Sequence, residues 1–248
     1  MIDTHAHLDA LDDPPAEVLE RARAAGVMRV VTIGTGIDSS RAALALADGE
    51  EGVFAALGIH PHDAGGDEAG RMAELHELFA HEHVVAVGET GLDHYRDYAP
   101  HDAQLRLFEA HLDLAEGLGL PVVIHSRAAS NETVAALADF AGTVILHCFS
   151  EPDQLSVALE RGYYVSFAGN VTYRNADALR QAAADIPLER ILVETDCPFL
   201  APQPVRGRPN EPAFVVHTVD ALASVRGVSP DVLGAQIDAN AAAAFSLP

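Results

Sequence analysis

One alternation repeats from end to end of the chain: a short apolar, largely β-branched run, then a stretch with helical spacing, then the next run. The runs fall at residues 2–7, 29–34, 53–58, 84–87, 121–124, 143–146, 163–167 and 191–194. Helical stretches follow at 14–25, from 38 onward, and at 68–81, 100–116, 131–140, 152–161 and 175–184. Strands that alternate with helices lie parallel, because each crossover helix returns the chain to the same end of the sheet. Nearly unbroken apolar strands belong to a sheet covered on both faces. Eight repeats favour closure into a (β/α)8 TIM barrel over an open, doubly wound sheet, and 248 residues suit that fold. No linker or shift in composition divides the chain, so residues 1–248 are read as a single domain, with two closing C-terminal helices at 212–226 and 230–245. Two local expectations go with this frame. Asp38 or Ser39 caps the second helix, and the fourth strand ends at residue 87, followed by a loop over 88–97.

Barrel enzymes collect their chemistry at the C-terminal ends of the strands. Laid on that frame, strand one contributes His5 and His7, strand four Glu89, strand five His125, strand six His147 and strand eight Asp196. On an extended strand Asp3, His5 and His7 share a face. Each polar residue follows an apolar run, where an unpartnered polar side chain is costly to bury. Six such residues on five strands converge on one mouth. Four imidazoles and two carboxylates exceed the needs of one tetrahedral zinc and suit two divalent ions, with zinc, manganese, magnesium and nickel all compatible. Glu89 is the expected bridge, since a carboxylate has two oxygens to share and the chain has no lysine that could be carbamylated. One ion is then expected on His5, His7, Glu89 and Asp196, the other on Glu89, His125 and His147. A water between them is the nucleophile, and Asp196 takes its proton or orients it.

Other polar residues divide by position. His60 and His62 follow strand three at the same mouth, and His60 is a candidate substrate contact. Asp93 and His94 lie in the predicted loop after strand four, also as candidate contacts, and Glu194 shares the strand face of Asp196. His76, His81, His83, His101, His111 and His217 fall on helices or their ends and are expected on solvated faces. Cys148 and Cys197 form no disulfide framework and are read as packed thiols. Arg96, Arg127, Arg174, Arg206 and Arg208 fall in loops after strands, where a guanidinium can grip phosphate with two N–H groups. Arg127, Arg174 and Arg206 are the expected phosphate contacts.

Charge limits the substrate. Thirty-seven acidic residues against 15 basic ones give a net charge of −22, which repels polyanions at long range. A nucleic-acid substrate must therefore be held locally, by metals and the few mouth arginines. The chain has no apolar run long enough for a membrane span. It starts Met1-Ile2-Asp3 without a basic, apolar leader, so a cytoplasmic protein is expected.

The stretches IDTHAHLD, LGIHPH, VGETGLDHYRD, PVVIHSR, ILHCFS, ILVETDCPFLAP and VRGRPNEP occur in this order across nearly the whole chain. As a set they resemble the TatD-type metal-dependent deoxyribonucleases, within the amidohydrolase-like barrels. The resemblance implies a two-metal phosphodiesterase with His5, His7, Glu89, His125, His147 and Asp196 at the ligand positions. It adds DNA as substrate, often by exonucleolytic attack on single strands. The chain departs from the family at Glu151, where glycine is usual, which is expected to add negative charge near the mouth. It departs again at Ala128, where an acidic or polar residue is common. The alternative within the same metal chemistry is hydrolysis of small-molecule amides, esters or aminoacyl esters.

Overall fold

In the computed structural model, which describes residues 1–248, eight strands follow one another around a single sheet in sequence order. They are β1 (Ile2–Ala6), β2 (Arg29–Gly34), β3 (Val53–Leu57), β4 (Val84–Asp93), β5 (Val122–Arg127), β6 (Val144–Leu146), β7 (Tyr164–Phe167) and β8 (Ile191–Val193). Every neighbouring pair is parallel. The crossovers are α1 (Pro15–Ala24), α2 (Ile37–Gly49), α3 (Met72–Leu78), α4 (His101–Leu118), α5 (Ser130–Ala136), α6 (Leu155–Arg161) and α7 (Asp177–Asp185). Two further helices, α8 (Val215–Arg226) and α9 (Pro230–Phe245), end the chain. This is the expected (β/α)8 barrel with its two closing helices.

The barrel closes just beyond the ends of β1 and β8. Ala6 and Cys197 form a parallel bridge. The His7 N–H donates to Cys197 O at 2.9 Å and the Asp196 N–H to His5 O at 2.9 Å. Deeper in the wall, Thr4 Oγ1 donates to Val193 O at 2.8 Å. Helix α9 packs across this seam against both β1 and β8. Its Asn240 side chain donates to Leu188 O and Ile191 O, each at 2.8 Å. The seam is therefore zipped by backbone groups of the residues expected to hold metal.

Three local expectations are corrected. The region 88–97 is not simply a loop, because β4 runs on to Asp93 and pairs with β5 as far as Arg127. Gly88 and Gly91 let the two backbones approach. A Cβ on Gly91 would lie 2.0 Å from His125 O, and its φ is +135°. The register shifts between Val87 and Thr90, and a bulge of that kind re-aims the side chain it carries, here Glu89. Second, α2 starts at Ile37, ahead of Asp38 and Ser39. A tertiary carboxylate replaces the local cap: Glu68 Oε2 accepts from the Ile37 N–H at 2.7 Å.

The third correction is His111. Helix α4 buries Gln104, Leu107, Phe108, His111, Leu112 and Ala115, one stripe at helical spacing. Burial of Leu107, Phe108 and Leu112 contributes about 2 kcal/mol each. His111 lies within the stripe and is fully buried, because its ring is needed there. Its Nδ1–H donates to Leu107 O at 2.7 Å, and Nε2 accepts from the Ile59 N–H at 3.1 Å. The bond to Ile59 ties α4 to the segment leading into His60. No helix is long and apolar enough to cross a membrane.

Candidate metal centre

The six ligand-type residues converge at the C-terminal mouth around the Glu89 carboxylate. Glu89 Oε2 lies 3.4 Å from His5 Nε2 and 3.7 Å from His7 Nε2. Its other oxygen, Oε1, lies 2.8 Å from His125 Nδ1, 2.9 Å from His147 Nε2 and 3.4 Å from His60 Nε2. Asp196 Oδ1 completes the first side, 3.4 Å from His7 Nε2 and 3.8 Å from His5 Nε2. Three overlapping sets keep their ligand atoms within 4.8 Å of one another: His5 with Glu89 and His147, His5 with His7 and Asp196, and His60 with Glu89 and His125. The sets differ from the expected division in two ways: His147 groups with His5, and His60 joins the second group.

These residues fit divalent cations. His5 is fully buried, yet neither ring nitrogen has a hydrogen-bond partner, and an unpaired buried polar atom is costly unless something fills its coordination. Burial opposes the charged form of Glu89, but the surrounding imidazoles, His147 and His60 foremost, hold its carboxyl well below the ordinary range. Burial likewise opposes ionisation of Asp196, yet His7 and His5 keep its carboxyl low. Two buried anions call for positive charge beside them, which divalent ions or protonated rings supply. Burial opposes a charged His147, but the Glu89 and Glu194 carboxylates raise its pKa well above the ordinary value.

A second layer fixes which nitrogen of each ring is free. His147 Nδ1 faces Glu194 Oε1 at 3.1 Å, an oxygen that also accepts from the Cys148 N–H at 2.8 Å. His125 Nε2 faces Asp93 Oδ2 at 3.2 Å. Both nitrogens of each ring face a carboxylate, Glu89 on the inner side. With ions at the centre, the outer nitrogens, His147 Nδ1 and His125 Nε2, would hold the protons against Glu194 and Asp93 and leave His147 Nε2 and His125 Nδ1 to ligate. Asp93 is buried and anchored in turn, its Oδ1 accepting from the Tyr95 and Arg96 N–H groups at 3.0 and 2.9 Å. Its Oδ2 also meets His62 Nε2 at 2.9 Å. His60 has the opposite polarity. Its Nδ1 accepts from the His62 N–H at 3.1 Å, so in the neutral ring Nε2 carries hydrogen and is a donor.

The centre opens into a cleft of about 800 Å³ lined by His7, His60, Glu89, His125, His147 and Asp196, and also by Arg96, Tyr98, Arg127 and Phe199. Of the arginines expected as phosphate contacts, only Arg127 lines it. Arg174 and Arg206 are exposed and lie outside its lining, and the Arg206 guanidinium sits 4.0 Å over the Tyr173 ring. Glu151 does not itself line the cleft, but its carboxylate lies directly behind the lining residue Ser126. Its carboxylate is turned into the β5–α5 connection, where it accepts from the Ala128 N–H, from Ser130 Oγ and, at 3.4 Å, from Ser126 Oγ. His94 does not line the cleft either and stacks on His101 at 3.7 Å. Cys148 lines the cleft, but burial and then the Asp196, Glu194 and Glu89 carboxylates raise its thiol well above the ordinary value. Thiolate nucleophilic chemistry is thereby disfavoured. Beneath the centre, burial pushes the Asp3 carboxyl up to about 8, and its oxygens accept from the Thr195 N–H at 2.9 Å and from Thr195 Oγ1 at 2.5 Å.

Comparison with known proteins agrees with this architecture. The metal-dependent hydrolase TatD of Mycobacterium tuberculosis is 40% identical over 260 residues, covering 100% of this chain and 98% of the relative. The 3'-5' ssDNA/RNA exonuclease TatD of Citrobacter rodentium is 38% identical over 240 residues, covering 93% of this chain and 91% of the relative. Among solved structures, the TatD homologue YJJV of Escherichia coli K12 superposes with a TM-score of 0.92 at 31% identity, covering 100% of this chain and 98% of its own. The description of TatD related DNases matches residues 2–246, a span that contains every side chain of the mouth. The chain therefore belongs to the TatD related DNase family of metal-dependent hydrolases.

Proposed function

We propose that this protein hydrolyses phosphodiester bonds of DNA, exonucleolytically on single strands, with two divalent ions at the mouth. The observation that carries the proposal is the Glu89 carboxylate, whose Oε2 faces His5 and His7 while Oε1 faces His125 and His147. That division is what a bridging ligand requires. Divalent ions held there, whether zinc, manganese, magnesium or nickel, supply an acidified water and neutralise charge developing on a phosphoryl group. The nuclease name of the Citrobacter rodentium relative supports the choice of substrate.

The protein's own groups have distinct tasks in this reading. Asp196, at the rim of the centre with Oδ1 3.4 Å from His7 Nε2, orients the attacking water and accepts its proton. His60 presents its Nε2–H to a phosphate oxygen. Arg127, with Arg96 beside it in the cleft lining, offers N–H groups to the non-bridging oxygens. Arg174 and Arg206, outside the lining, reach only the more distant phosphates of a longer strand. Asp93 and Glu194 keep His125 and His147 turned toward the ions.

The net charge of −22 favours a second reading, in which the same centre opens a small amide, ester or aminoacyl ester. One assay separates the two. A labelled single-stranded oligonucleotide is offered to protein stripped with chelator and then reloaded with manganese, magnesium, zinc or nickel. Stepwise shortening that needs metal and disappears in Asp196→Asn is expected. Metal-loaded protein that leaves every strand intact refutes the nuclease reading and turns the search to small esters and amides.

A further inference from the structure

The protein exposes very few aromatic rings, and those it exposes gather in one place. Among five tyrosines and nine phenylalanines, only Tyr95, Tyr98 and Phe199 are exposed, at 62%, 65% and 58%. Tyr98 and Phe199 line the cleft. Tyr98 follows β4 and stands edge-on to His62, with ring centroids 4.7 Å apart. Phe199 follows β8 and stands edge-on to His7 at 6.1 Å. In the sequential strand order, β4 and β8 occupy opposite walls of the barrel, so two exposed rings bracket the centre. Over the Tyr98 ring lies only the Arg96 guanidinium, 6.0 Å from its centroid. Tyr95 is more closely covered, because the Arg127 guanidinium lies 4.0 Å over its ring. That contact holds Arg127 at the mouth by cation–π attraction.

Exposed aromatic faces are unfavourable in water, and their confinement to the lip of a catalytic cleft marks a binding surface. Unpaired nucleobases meet such faces well, because every base has a π-face and stacks with little regard to sequence. Bases in a duplex already stack on each other and offer none. A net charge of −22 also removes the basic field by which most nucleic-acid proteins track a phosphate chain. Grip must then come from the mouth itself.

We propose that Tyr98 and Phe199 are stacking platforms for the two unpaired bases on either side of the scissile phosphate, and that they, with Arg127, make the protein selective for single strands. The proposal rests on the nuclease reading and assigns its specificity to particular rings.

The test measures binding of a fluorescein-labelled, phosphorothioate-linked single-stranded octanucleotide to the metal-loaded full chain by anisotropy. A parallel series carries an abasic residue at each position in turn. Tyr98→Ala and Phe199→Ala are each expected to raise Kd about tenfold for the intact strand, while Tyr98→Phe and Phe199→Tyr restore it. On the strand whose abasic position faces the altered ring, the variant and the unaltered protein should bind alike. An unchanged Kd, or an equal loss on every abasic strand, would overturn the proposal. Cleavage of an unmodified strand is scored separately. Cleavage with no dependence of binding on the rings overturns this inference and leaves the nuclease reading standing. Ring-dependent binding without cleavage overturns the nuclease reading and, with it, the assignment of the rings to bases flanking a scissile phosphate.

Discussion

His111 offers a measurable link between a buried ring and the pH dependence of stability. Its two bonds, Nδ1–H to Leu107 O and Ile59 N–H to Nε2, exist together only in the neutral ring. Protonation would set a second ring N–H against the Ile59 N–H, and burial accordingly lowers the pKa from 6.5 to about 4. Between those values the unfolded chain binds a proton and the folded chain does not, so stability falls as pH falls through this range. Above pH 6.5 the contribution is fully present. At about 1.4 kcal/mol for each tenfold in proton affinity, roughly 2 kcal/mol is gone by pH 5 and roughly 3 kcal/mol by pH 4. His111→Leu abolishes the titration and leaves the buried Ile59 N–H without an acceptor, at a cost of about 1–3 kcal/mol. Urea unfolding of both proteins at pH 7.5 and at pH 5 isolates the effect, because distant groups cancel in the difference. The variant should be the less stable at pH 7.5, and the gap should narrow by about 2 kcal/mol at pH 5. A gap that stays the same at both pH values would refute the reasoning.

Asp93→Asn loses the charge that directs His125, so metal affinity should fall about 10- to 100-fold in chelator competition, with the far-ultraviolet dichroism unchanged. Gly91→Ala places a methyl group on His125 O at a φ of +135°, and should destabilise the barrel by more than about 3 kcal/mol in denaturant unfolding. Loading the stripped protein with its working metal at about a thousandfold over Kd should stabilise it by about 4 kcal/mol, read as a rise in Tm. His5→Ala should lose most of that increment.

The barrel and its mouth were legible because both rest on local pattern. Apolar runs ending in His125, His147 or Asp196 announce the strand and the side chain that it carries to the mouth together. Legibility failed where a residue's partner lies far along the chain. The continuation of β4 past Val87 shows only when β5 is placed beside Gly88 and Gly91. Glu68 cannot be read as the cap of α2 from its own neighbourhood, nor Glu151 as the acceptor of the Ala128 N–H. For His111 the sequence did carry a signal, since it falls in register with Leu107, Phe108, Leu112 and Ala115. The assumption that histidines on helices face water concealed it. Arg174 and Arg206 were placed correctly after their strands, but residue order does not reveal which way a loop folds back.

The seam between β1 and β8 has a consequence for biosynthesis. Asp3 and Thr195, which bond across it, are 192 residues apart, and the candidate ligands His5 and Asp196 stand beside them. A ribosome releases His5 and His7 first, yet they have no Asp196 to meet until four-fifths of the chain has been made. During translation the growing polypeptide cannot bring His5, His7 and Asp196 together. Assembly of the candidate metal centre is thus tied to the final closure of the ring, and a chain truncated before β8 is expected to be inactive however well its earlier strands pair.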